Sequence, residues 1–106
     1  MNGPLRDTLE EMTNRLVAAV HPVAIYLFGS QANGTATEDS DVDLMVIVPD
    51  GEEPMRKVEE RAWRSLGGIP VSKDLIVESV SQFRRRGTVY ASLECEILES
   101  GVLLYG

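Results

Sequence analysis

"LFGSQANGTATEDSDVDLMVIV", Leu27–Val48, decides how this chain folds. It starts in an apolar run and passes a Gly-Ser pair, Gly29–Ser30. It then crosses ten small and polar residues. Two aspartates, Asp41 and Asp43, open a second apolar run. "VAIYLF", Val23–Phe28, is short, branched and aromatic, and lies between Pro22 and Gly29, which predicts a buried strand. "DVDLMVIV", Asp41–Val48, predicts a second strand, nearly all apolar after its start. The intervening loop has room for one helical turn after Gly29 and turns through Gly34. Ser30 and the aspartates can therefore face one pocket.

On the N-terminal side, Leu5, Leu9, Met12, Leu16, Val17 and Val20 recur at helical spacing. They predict an amphipathic helix over Leu5–Val20, ended before Pro22. On the C-terminal side, Met55, Val58, Ala62, Trp63 and Leu66 predict a helix over Glu52–Leu66, stopped by Gly67–Gly68. Ile69–Ser79 reads as a third strand and Val80–Arg86 as a short helix. Thr88–Ser100 reads as a further helix with Val89, Leu93, Ile97 and Leu98 apolar. "VLLY" reads as a last strand. The expected architecture is one α+β (mixed α/β) domain over residues 1–106, a small sheet with helices packed on one face.

Composition narrows the function. Hydrophobic residues are 43% and charged residues 25%, ordinary for a soluble globular chain. No apolar run approaches a membrane span, and the N-terminus has no signal-peptide core. The lone Cys95 cannot form an internal disulfide, so the cytoplasm is the expected location. A net charge of -7 argues against direct nucleic-acid binding. The same charge makes a polyanion an awkward ligand unless cations intervene.

Such a cation site is suggested by the aspartates. Residues i and i+2 of a strand point the same way, so Asp41 and Asp43 share a face. Two neighbouring carboxylates repel, and either a proton or a cation resolves the repulsion. Hard divalent cations such as Mg²⁺ take oxygen ligands and complete their shells with substrate phosphates. Gly29 allows close backbone approach, and the Ser30 hydroxyl with following N–H groups can hold phosphate oxygens. Asp74 lies in "VSKDLIV" among apolar residues, where a carboxylate needs a partner. If its strand pairs with the Asp41 strand, Asp74 joins the site as a metal ligand or proton acceptor.

"GSQANGTATEDSDVDL" resembles the Gly-Ser … Ser-Asp-x-Asp motif of the DNA polymerase β-like nucleotidyltransferase superfamily. The short chain resembles its minimal (MNT) members, the antitoxins of HEPN–MNT toxin–antitoxin pairs. The likeness runs over Val23–Asp74, and the tail "ILESGVLLYG" is similar too. By this resemblance, Gly29 and Ser30 grip the nucleotide triphosphate. Asp41, Asp43 and Asp74 are the catalytic, metal-binding carboxylates, holding two Mg²⁺ ions. The implied reaction transfers AMP from ATP to a hydroxyl, a tyrosine, of a partner HEPN toxin in a hetero-oligomer. Relatives carry arginines just after the serine, where this chain has Gln31 and Asn33. That departure keeps open a second reading, an antitoxin that neutralises its ribonuclease by binding. A standalone transferase acting on a small molecule is a third.

The remaining features have plainer readings. A calcium loop built on Asp39, Asp41 and Asp43 lacks the glycine and late glutamate that it needs. His21 reads as a helix end, Cys95 as a boundary residue and Trp63 as core. Arg84–Arg86 reads as a solvated helix end, with contact to an acidic partner as the alternative.

Overall fold

The computed structural model describes residues 3–36 and 40–106. Asp39, and with it the calcium-loop reading, lies outside the described residues, as do the other late residues 37–38 of the predicted loop. The order is α1 (Gly3–Val20), β1 (Ala24–Phe28), α2 (Ser30–Asn33), β2 (Val42–Val48), α3 (Met55–Ser65), β3 (Lys73–Ser79), α4 (Val80–Gly87), α5 (Leu93–Ser100) and β4 (Val102–Tyr105). The strands form one mixed sheet in the order β3-β2-β1-β4. β2 runs antiparallel to β1 and parallel to β3, while β4 adds antiparallel to the free edge of β1.

β2 explains the layering. After Asp43 its five residues are all buried, which an alternating one-sided strand cannot achieve. Val42, Leu44, Val46 and Val48 pack with Leu9, Met12, Leu16 and Val20 of α1 and with Val58 and Ala62 of α3. Met45 and Ile47 point the other way, against Phe83 of α4 and Ile97 of α5. On that second face the rings of Tyr26 and Phe83 stack with centroids 6.1 Å apart. The mixed α/β class is as expected. The long helices lie on one face, and the shorter α4 and α5 add a layer to the other that the expectation omitted. Among the described residues, no helix is long and apolar enough to cross a membrane.

Several boundaries move for local reasons. α1 ends at Val20 as predicted, and His21 takes a left-handed conformation while its N–H bonds Val17 O. α3 starts three residues later than predicted, just after Pro54. β3 starts at Lys73, beyond Pro70. α5 starts at Leu93: Ser92 caps it by accepting from the Cys95 N–H at 3.0 Å and donates to Arg86 O at 2.7 Å. Residues 88–92 form a turn with Ala91 left-handed, so Val89 is exposed rather than helical core. Trp63 is 41% exposed, a correction to its core reading. It follows Ala62 by one position, about 100° off the Val58–Ala62–Leu66 stripe.

Beneath α4 and α5 the second face holds two buried acids, Glu78 (6% exposed) and Glu94 (3%). Gln82 donates to Glu78 Oε2 at 3.3 Å, and Arg86 Nε lies 3.2 Å from Glu94 Oε2. The Oε1 oxygen of each acid is buried without a donor. One proton held between the two carboxyls satisfies both. Burial, then the hydrogen bond and charge of Glu94, push Glu78 up to about 7. Burial opposes ionisation of Glu94 too, but the bond from Glu78, its own backbone N–H and Arg86 hold it below its usual value.

The protonated Glu78 is thus favoured in the fold relative to the unfolded chain. Its contribution is complete below the ordinary glutamate range and is lost as pH rises towards 7. Glu78→Gln keeps a neutral hydrogen-bonding side chain at all pH values. Thermal melts should show the variant gaining on the parent chain between about pH 5 and about pH 8. An equal loss of stability at both would mean that Glu78 serves as an anion.

Candidate functional site

The strand registers build the site. Phe28 of β1 pairs with Asp43 of β2, and Asp43 pairs with Asp74 of β3. Paired residues face the same way, so Asp43 and Asp74 are neighbours on the α4–α5 face. Asp41 stands just before β2 and is exposed, as is Asp74, while Asp43 is half-buried. Burial, then the charges of Asp74 and Asp41, raise Asp43 above the usual carboxylate range. The charges of Asp74 and Asp41 therefore both reach Asp43 at one end of the sheet.

Gly29 closes the back of this row. Its φ of 75° and ψ of −155° belong to a region that side-chain-bearing residues avoid. A Cβ built there would overlap Asp43 Oδ2. The turn α2 follows at once, with the Ala32 and Asn33 N–H groups bonded to Gly29 O at 3.1 and 3.2 Å. The opening N–H groups of a helix have no intrahelical acceptor and point at whatever lies beyond the turn. Ser30 begins that turn, at the mouth of the carboxylate row.

Gln31 and Asn33 are spent on the loop itself. Gln31 donates to Ser40 O at 3.4 Å, linking α2 to the entrance of β2. Asn33 Oδ1 accepts from the Thr35 N–H at 3.1 Å and from its hydroxyl at 2.6 Å. The two side chains thus shape the turn where the motif's arginines would carry charge.

The donor set is all carboxylate oxygen, the chemistry of a hard divalent cation. Crowding of negative charge at Asp43 is the condition that a cation relieves. Among the described residues no three acids, histidines or cysteines are gathered tightly enough to hold an ion as they stand. Asp74 Oδ1 instead accepts from the Leu75 N–H at 3.0 Å. The residue types fit a cation, and the Asp74 Oδ2 oxygen is not engaged in that bond.

Cavity size alone points elsewhere. A cavity of about 520 Å³ lies at the opposite end of the sheet, lined by Val48, Asp50, Glu53, Arg61 and Ser79 among others. There the Asp50 carboxylate is engaged by the Ser81 N–H and hydroxyl. Nearer the carboxylate row, a cavity of about 230 Å³ lies between α2 and α5, with Gly29 in its wall. Sequence reading missed this cavity, because α5 reaches Gly29 only through tertiary packing. It also missed the Glu78–Glu94 pair. Glu78 follows Asp74 and Ile76 at strand period two, a signal that was available.

The Gly29–Asp43 contact can be separated from backbone strain. Gly34 also has a positive φ, 80°, but open space around its would-be Cβ. Gly34→Ala should cost about 1 kcal/mol and Gly29→Ala about 2–4 kcal/mol in urea unfolding. Adding Asp43→Ala should recover part of the Gly29→Ala loss. Strict additivity of the two changes would exclude a direct clash.

Comparison with known proteins bears on the family and the fold. The family model of the nucleotidyltransferase domain matches residues 6–99. MJ0604 of Methanocaldococcus jannaschii, named as a protein adenylyltransferase, is 33% identical over 81 residues, 76% of each chain. A nucleotidyltransferase structure from Sulfolobus solfataricus superposes with TM-score 0.63 at 20% identity, over 92% of this chain and 76% of that one. A toxin–antitoxin structure with AMP-PNP gives 0.63 at 24% identity, over 92% and 73%. A mutant MntA–HpeT toxin–antitoxin structure gives 0.61 at 21% over the same shares. These structural likenesses speak for the fold, and the match over most of the sequence speaks for the family: this chain belongs to the nucleotidyltransferase domain family and is a nucleotidyltransferase.

Proposed function

We propose that this nucleotidyltransferase moves AMP from ATP to a tyrosine hydroxyl of a HEPN-family toxin, and so acts as its antitoxin in the cytoplasm. The observation that carries the reading is the row Gly29, Asp43, Asp74, with Asp41 beside it. The relative named as a protein adenylyltransferase supports a protein acceptor. The toxin–antitoxin neighbours support the kind of partner.

In the proposed step the acceptor oxygen attacks the α-phosphorus in line. The bond from that phosphorus to the bridging oxygen of the β-phosphate breaks, and pyrophosphate leaves. Asp74 takes the hydroxyl proton. Gly29 lets the triphosphate approach the backbone, and Ser30 donates to a phosphate oxygen. Two Mg²⁺ ions, held by Asp41, Asp43 and Asp74, would supply charge stabilisation for the attacking and leaving oxygens.

One observation favours a second reading. Gln31 and Asn33 are committed to the loop, so α2 presents no cationic side chain to a triphosphate. A chain that neutralises the toxin by covering it would need none.

Intact-mass analysis separates the two. A HEPN partner incubated with this chain, ATP and Mg²⁺ should gain one or more AMP units. Asp41→Asn/Asp43→Asn should abolish the gain and still form the complex. That variant is expected to fold at least as well as the parent near neutral pH. Asp43 is raised by burial and like charge, so its ionised form opposes folding above the usual carboxylate range. A stable complex with no mass gain from the parent chain would establish neutralisation by binding instead.

A further inference from the structure

We propose that the cavity between α2 and α5 seats the nucleobase of the donor nucleotide, and that Glu96 selects an amino-bearing purine. The inference rests on the nucleotide reading above and names the part of the ligand which that reading left unplaced.

Position is the first argument. Gly29 lines this cavity and also backs Asp43, so the two compartments meet at one backbone residue. A nucleotide with its phosphates at the carboxylate row has the cavity as its neighbouring recess. At about 230 Å³ the recess is smaller than pockets that enclose whole drug-sized ligands. It suits a base rather than a complete nucleotide.

The lining is the second argument. Phe28, Ala32, Leu93 and Ile97 give apolar surface for a flat heteroaromatic ring. Asn33, Glu96 and Ser100 are the polar residues of the lining. Their hydrogen-bonding capacity is already partly assigned. Ser100 donates its hydroxyl proton to the Glu96 carbonyl at 3.0 Å. Asn33 uses its amide oxygen on Thr35, which leaves the amide NH₂ to donate. The Glu96 carboxylate, when ionised, only accepts. The lining therefore asks for a base that donates through an amine to Glu96 and accepts from Asn33. Adenine meets that requirement with its exocyclic amine and ring nitrogens. Hypoxanthine, which has a carbonyl in place of the amine, sets oxygen against oxygen.

The test is calorimetric binding of ATP, ITP and inorganic tripolyphosphate, each with Mg²⁺, to the full chain. The parent should prefer ATP to ITP by about tenfold, the order expected of one hydrogen bond to a charged group. Glu96 is exposed, so Glu96→Gln should fold normally. Because Gln can both donate and accept, it should bring the ATP/ITP ratio close to one and leave tripolyphosphate affinity unchanged. Leu93→Trp, which fills the recess, should reduce ATP to the affinity of tripolyphosphate. Tripolyphosphate binding with an ATP/ITP ratio identical in the parent and Glu96→Gln would overturn the base assignment and leave the phosphate site standing. Failure of all three ligands to bind the parent would overturn the nucleotide reading and this inference with it.

Discussion

Partial burial of Asp43, compounded by like charge from Asp74 and Asp41, is the constraint to which the rest of the site answers. The pairing of β2 with β3 in parallel register sets Asp43 beside Asp74, and the entrance to β2 adds Asp41. Nothing in the packing of the sheet requires this. An apolar residue at the half-buried Asp43 position would extend the Met45–Ile47 face. A fold that partly buries Asp43 beside other acids opposes its ionisation, and such concessions concentrate where chemistry is done. Gly29 carries the same meaning in steric terms. Its backbone conformation and the space given to Asp43 exclude any side chain.

Much of this was legible in the sequence, and the reasons are local. β1 and β2 announce themselves as apolar runs flanked by Pro22, Gly29 and Pro49. The Gly-Ser pair and the Asp-x-Asp spacing are contiguous chemistry, read along a single loop. Placing Asp74 needed only the assumption that its strand neighbours β2, and the register meets it. The unbroken apolar character of β2 already implied cover on both faces. That implication was not drawn, and the α4–α5 layer was missed with it. Val89 and Trp63 misled because hydrophobicity was counted without fixing its phase. The Ser92 cap and the one-residue offset from Ala62 are local features, set within a few residues of each position.

The α4–α5 layer has a distinct electrostatic character. Where α1 and α3 meet the sheet through aliphatic side chains, α4 and α5 meet it through aromatic stacking and a pair of acids that fits one proton. Removing the proton leaves two buried anions facing a single Arg86. An uncompensated buried charge is costly, so this layer is the one whose attachment responds to solution conditions.

The mixed sheet also gives the two halves of the site different histories during folding. Phe28 and Asp43 come together across a short antiparallel connection that closes on itself. Asp43 and Asp74 meet only after α3 has crossed the sheet, over about twice the chain length, and parallel pairing of that kind is intrinsically slow. The glycine and the first aspartates can thus be in place while the third is still absent. The motif is written along one loop, whereas the neighbour that Asp43 gains in Asp74 depends on a non-local strand pairing.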